Sequence, residues 1–255
     1  MTDQSQNPAD QGQPLIEHLI ELRSRILKSV LAVLVIFLPL FYFANPLYEY
    51  LAAPLMSYLP EGSTMIATQV ASPFLTPFKL TLVLAVFIAV PYILHQLWGF
   101  VSPGLYANEK RFAIPLLISS VLLFYTGIAF AFYIVFPLVF GFFTTVAPAG
   151  VAVTPDINQY LDFVLKLFFA FGIAFEIPIA AMLLVWSGAT TVENLKAKRP
   201  YVIVGCFVVG MLLTPPDIIS QILLAFPMWL LFEFGIFFSA WLKDHPAGDE
   251  EASER

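Results

Sequence analysis

One carboxylate stands alone in an apolar run. The stretch F-G-I-A-F-E-I-P-I-A, residues 171–180, places Glu176 between Phe163 and Trp186, with Lys166 near the start of the same run. Holding an ionised side chain at the bilayer centre costs at least about 2.5–3.5 kcal/mol. An acid kept there is either structural, protonated or hydrogen-bonded to a neighbouring helix, or functional, and intramembrane ionisable residues favour function. Lys166 sits about 15 Å earlier along a helix, too far to pair with Glu176, and its long stem suits snorkelling to the interface.

The other polar groups lie at the edges of apolar runs. Glu109, in S-P-G-L-Y-A-N-E-K-R (102–111), neighbours Lys110 and Arg111 and reads by pattern as a solvated loop charge. Glu17 and Glu21, in L-I-E-H-L-I-E-L-R-S-R (15–25), share one face of an amphipathic helix, and Glu21 with Arg25 makes an i,i+4 ion pair. Asp217 follows Pro215-Pro216 and suits the N-cap of the next helix. Met211, Thr214 and Gln221 put mildly polar groups around that turn, where bonds between helices are the default reading. Trp98, Phe100, Tyr106 and Trp241 fit an interfacial aromatic belt. No nucleotide-binding G-x-x-x-x-G-K-[ST], zinc-binding H-E-x-x-H or nucleophile G-x-S-x-G is present. His18, His95 and His245 pair with no nucleophile or metal partner, and the lone Cys206 rules out an intrachain disulfide. An enzyme is not expected, nor a metal site or cofactor.

These groups need helices to hold them. The 255 residues are 59% hydrophobic and 12% charged, which marks a polytopic membrane protein. The net charge of −6 argues against nucleic acid as a partner. Six apolar runs, at about 26–44, 78–98, 113–136, 161–186, 201–213 and 218–238, predict an all-α integral membrane fold. They form one membrane domain over 14–242, between disordered polar tails at 1–13 and 243–255. The N-terminal stretch M-T-D-Q-S-Q-N-P-A-D-Q-G-Q-P is polar and lacks the basic n-region of a cleaved signal peptide, so the first run is expected to be kept. The fifth run rises only about 20 Å as a helix, short of about 30 Å of hydrocarbon. Of the twelve Lys and Arg residues, all but Lys79 and Lys166 fall on one side, which predicts that side, with both termini, to be cytoplasmic. Outside, 45–77 predicts a short interfacial helix capping the outer face, 137–160 a loop, and T-P-P-D a tight turn. Pro91, Pro115, Pro178 and Pro227 interrupt spans and predict bends, hence a curved bundle with a groove. The two halves show no inverted repeat, which counts against a transporter.

The segments P-L-I-E-H-L-I-E-L-R-S-R, Q-V-A-S-P-F-L-T-P-F-K (69–79), P-G-L-Y-A-N-E-K-R (103–111), F-G-I-A-F-E-I-P (171–178), K-R-P-Y-V (198–202) and V-V-G-M-L-L-T-P-P-D (208–217) strongly resemble the TatC family, in order and spacing, from about residue 14 to 241. The resemblance implies a glove-like six-helix bundle with short fifth and sixth helices, in the bacterial inner membrane. It implies a receptor for twin-arginine signal peptides on folded cargo, working with TatB-like and TatA-like single-span partners in a multimeric complex and driven by the proton-motive force. By the same resemblance, Glu21 and Glu109 receive the paired arginines, with Arg23, Phe100 and Tyr106 at neighbouring functional positions. Pro54 matches an outer-cap position. Met211, Thr214 and Gln221 match the polar patch where partner helices dock, Asp217 the acid at that turn, and Glu176 the acid on the concave face. A carboxylate accepts a planar guanidinium bidentately, whereas lysine offers only a point charge.

Two other readings stay open on the sequence. A proton-coupled secondary transporter would use Glu176 as its proton site and move a small solute without partners. A structural scaffold would tolerate substitution of Glu21 or Glu109.

Overall fold

The computed structural model describes residues 13–58, 64–101, 113–146, 154–213 and 218–244. Its helices are α1 (Gln13–Phe41), α2 (Ala44–Tyr58), α3 (Ser72–Val101), α4 (Ala113–Phe130), α5 (Phe136–Val146), α6 (Ile157–Ala174), α7 (Ile177–Trp186), α8 (Val192–Ala197), α9 (Arg199–Leu213) and α10 (Ile218–Asp244), with a π-helical turn, Ala131–Val135, joining α4 to α5. Among the described residues the one extended pairing is an isolated bridge, Ile66 with Asp156. Five stretches are long and apolar enough to cross a bilayer: His18–Phe41, Ser72–Phe100, Ile114–Phe143, Ile157–Trp186 and Ile218–Trp241. The sixth apolar helix, α9, has 15 residues and rises about 22 Å.

The differences from the hydropathy reading have local causes. Helix continues through α5 to Val146, well into the stretch expected as loop, because F-P-L-V-F-G-F-F extends the apolar run, and the π turn Ala131–Val135 stands just ahead of Pro137, where the ladder must change register around a missing N–H. Pro115 sits in the first turn of α4 and interrupts nothing. Pro178 does mark a break: the fourth span divides at Phe175–Glu176, with Pro178 in the first turn of α7. Pro91 and Pro227 lie inside α3 and α10. The short sixth helix that the family resemblance implies is not found: the apolar run at 218–238 already has the length of a full span, and S-A-W-L-K-D carries α10 on to Asp244, 27 residues in all.

α1 packs along α3 and runs antiparallel to it: Phe37 and Phe41 meet Phe78 edge-on at one end, and Arg25 reaches Gln96 at the other. The remaining flank of α1 is open, with Leu27, Leu31, Val35 and Leu38 each more than half exposed. The main core lies between α3, α4, α6 and α10 around Phe87, Phe124, Leu161, Val164, Phe171 and Leu224. α4 and α6 approach closely through two glycines. A Cβ on Gly127 would fall 2.5 Å from the Phe171 carbonyl oxygen, and one on Gly172 would fall 2.7 Å from the Phe124 ring. Small residues at such crossings let backbones meet where lipid provides no hydrophobic drive. Gly235 does the same for α10: a Cβ there would fall 3.0 Å from the backbone of Pro178 on α7. The chain is therefore held on both sides of Glu176, α6 against α4 before it and α7 against α10 after it.

Candidate functional site

At the end of the bundle rich in Arg and Lys, Arg25 joins α1 to α3. Its Nε and Nη2 donate to Oε1 of Glu21 one turn earlier, at 2.9 and 2.6 Å. Nη2 also donates to the Gly99 carbonyl at 2.9 Å, and Nη1 to the carbonyl and Oε1 of Gln96 at 3.3 and 3.4 Å. Gly99 lies in the last turn of α3, whose carbonyls lack intrahelical donors, and a cation is favourable at that end of the dipole. The i,i+4 pair read from the sequence is present, with the Glu21 side chain 37% exposed and the Arg25 side chain 23% exposed. Next to it Phe100 stacks on His18, ring centroids 4.2 Å apart. Arg23 lies on the exposed side of α1. Tyr106 and Glu109 lie outside the described residues. The cluster therefore brings Glu21 and Phe100 to one place, with His18, Arg25, Gln96 and Gly99, which the sequence reading assigned no part in binding.

Glu176 occupies the α6–α7 junction. Its N–H donates to the Ile173 carbonyl at 3.0 Å, and its carbonyl accepts from Ala180 at 2.9 Å, so the break sets the acid between two helix segments. The carboxyl group is hydrogen-bonded by the side chain of Ser120 on α4, and its buried Oε1 has no partner. The acid and Ser120 line a cavity of about 170 Å³ whose other walls include Leu94, Trp98, Ile179 and Leu183. Trp98 does not belong to the interfacial belt: it is 7% exposed, packed with Leu116 and Ile179. Lys166 is exposed on α6, and Lys79 forms an ion pair with Asp162 between α3 and α6.

On α9 and α10, Gln221 donates Nε2 to the Phe207 carbonyl at 2.8 Å, so one of the three polar-patch residues ties the two helices together. Met211 is half-exposed on α9. Thr214 and Asp217 lie outside the described residues, as does the expected T-P-P-D turn. Arg199, at the start of α9, pairs with Glu233 in the middle of α10 at 2.5 Å. At the end opposite Arg25, α2 covers the bundle. Pro54 sits within it, half-buried, its carbonyl accepting from Ser57 Oγ at 2.6 Å. Tyr160 on α6 donates to the Leu51 carbonyl at 2.8 Å, and Tyr48 Oη lies 3.4 Å from the Ile157 carbonyl.

Asp156 was missed by the sequence reading. Its Oδ1 accepts from the N–H groups of Asn158 and Gln159, capping α6, while Oδ2 accepts from the N–H and hydroxyl of Thr68 at 2.8 and 2.7 Å. The hydroxyl of Thr68 above all, then its N–H and that of Gln159, holds the carboxyl down to about 2. An Asp just ahead of an apolar helical run is the N-cap signal that marks it.

The family profile described as "Sec-independent protein translocase protein (TatC)" matches residues 17–227. The chain belongs to the TatC family. The TatC protein of Azotobacter chroococcum mcd 1 is 62% identical over 248 residues, covering 96% of this chain and 97% of that one. That of Escherichia coli strain K12 is 58% identical over 239 residues, covering 94% and 93%. A crystal structure described as the twin arginine translocase receptor TatC superposes with a TM-score of 0.80 at 41% identity, covering 89% of this chain and 99% of the other. As a TatC-family protein, the chain is a multi-pass membrane component of a Sec-independent protein translocase.

Proposed function

We propose that this TatC-family chain is the receptor subunit that binds twin-arginine signal peptides of folded cargo at the cytoplasmic face of the bacterial inner membrane. Glu21 and Glu109 accept the paired guanidinium groups, with Arg23, Phe100 and Tyr106 completing the site. TatB-like and TatA-like single-span partners dock on the polar patch of Met211, Thr214, Asp217 and Gln221 and meet Glu176 in the groove, while Pro54 stabilises the cap on the far side. Transport draws on the proton-motive force, and the chain itself carries out no covalent chemistry. The observation that supports this reading is the likeness to the twin arginine translocase receptor over almost the full length of both chains. Photo-crosslinking in membranes tests it, with the wild-type chain offered twin-arginine and twin-lysine peptides in parallel. Crosslinking to the arginine peptide alone is expected; equal yields with both would sink the proposal.

A further inference from the structure

The Arg25 guanidinium has acceptors on two helices. Two of its hydrogen bonds go to one oxygen of Glu21 and three to α3, at the Gln96 carbonyl and side chain and the Gly99 carbonyl. Arg25 is thus anchored to α3 independently of the acid. Glu21, 37% exposed, is held by Arg25 through one carboxylate oxygen, which takes both Nε and Nη2. Among the described residues, Arg25 engages Oε1 alone, and Oε2 accepts no hydrogen bond. Residue 99 takes part: a Cβ there would fall 2.3 Å from Nη1 of Arg25 and 3.0 Å from Cζ, so the guanidinium reaches the end of α3 only past a glycine. From Gly99 the chain runs directly into Phe100, stacked on His18.

We infer that Arg25 is a positioning residue for signal-peptide recognition: it fixes Glu21 against the end of α3 by one carboxylate oxygen and leaves the other to accept the incoming guanidinium. This rests on the reading of Glu21 as an acceptor. Arg25 does not act as a stand-in that the peptide displaces, because leaving Glu21 would break two of its shortest bonds while the three to α3 still held it in place. Lysine cannot replace it. A lysine at 25 keeps the charge but donates from a single nitrogen and cannot span a carboxylate and the Gln96 and Gly99 carbonyls in one plane.

The test is a double-variant cycle in membranes containing the full chain and its single-span partners. A fluorescent twin-arginine peptide is titrated against wild type, Arg25→Lys, Gly99→Ala, Glu21→Gln, and Glu21→Gln combined with each of the first two. Arg25→Lys and Gly99→Ala should each weaken binding by about tenfold, the scale of a lost charge-assisted hydrogen bond. In the Glu21→Gln background neither should weaken it by more than about twofold further, because the group they position is already gone. Unchanged binding, tighter binding, or a tenfold loss that persists without the Glu21 carboxylate would each overturn the inference; the last result would make Arg25 a structural tie between α1 and α3. If Arg25→Lys fails to accumulate, Gly99→Ala decides through the same cycle, since it keeps both charged residues. Wild-type binding by Glu21→Gln alone would remove the acceptor reading itself and this inference with it. Weakened Glu21→Gln with normal Arg25→Lys and Gly99→Ala would remove only the inference.

Discussion

Asp156 and Thr68 lie 88 positions apart in sequence, yet Oδ2 of the acid accepts both the N–H and the hydroxyl of the threonine. The same carboxylate caps α6, so one residue fastens the segment after α2 to the start of the fourth span. Its pKa is lowered to about 2 from an ordinary 3.8, first by the Thr68 hydroxyl. A depressed carboxylate stabilises the fold fully above its unfolded pKa and loses that contribution as pH falls through the folded one. The window here is from about 4 down to about 2. Asp156→Ala should destabilise the purified protein by about 1–3 kcal/mol at pH 7, from the lost cap and the orphaned Thr68 donors. Thermal unfolding at pH 7 and at pH 3 measures the gap between variant and wild type. The gap should narrow at pH 3; an equal gap at both values would show that charge is not what the site uses.

Orientation follows from the basic residues. Both termini and the loops near 99–112 and 187–200 are expected in the cytoplasm. Cys206 is replaced and single cysteines are introduced at Leu105 and at Tyr50, which is 72% exposed on α2. An impermeant thiol reagent added to intact cells should label position 50 and spare position 105. Labelling at 105 would reverse the topology.

The helices were legible because hydrocarbon imposes one length and one polarity on every span, and Glu176 was legible because an acid breaks that pattern. What escaped depends on which helices touch. Arg25 looks like one half of a local ion pair until α1 is laid antiparallel on α3, which brings Gln96 and Gly99 within its reach. Trp98 carries the composition of an interfacial residue but faces α4 and α7, a matter of rotation about the α3 axis. The apolar run at 218–238 already predicts a full span for α10; only its last turn and a half escaped, because hydropathy reports where apolar residues stop and the helix continues through Ser239–Asp244.

Glu176 is expected to matter more for transport than for folding. Its Oε1 is buried without a partner beside a cavity of about 170 Å³, room for a polar side chain from a neighbouring helix. Glu176→Ala should lower export by roughly tenfold, the scale of one lost hydrogen bond to a charged group, with protein levels near wild type. Glu176→Gln should be milder, since an amide still bonds to Ser120. Export assays with quantified membrane levels decide this; normal export by Glu176→Leu would make the carboxylate dispensable.

The last expectation concerns how two acids read two arginines. An exposed ion pair contributes only about 0.2–1 kcal/mol, so either acid alone, fully solvated, would discriminate poorly. Glu21 is already about two-thirds shielded, and the Phe100–His18 stack stands beside it, so part of the site excludes water. Contacts there are strengthened and respond weakly to salt. Glu109→Lys should abolish crosslinking to a twin-arginine peptide, Glu109→Asp should keep part of it, and the double variant Glu21→Lys, Glu109→Lys should show none. Raising ionic strength from about 0.1 to 1 M shortens the screening length from about 10 to about 3 Å. Wild-type binding should weaken only modestly across that range, whereas an open site would lose most of its affinity. Full crosslinking by the double variant would show that other groups read the arginines.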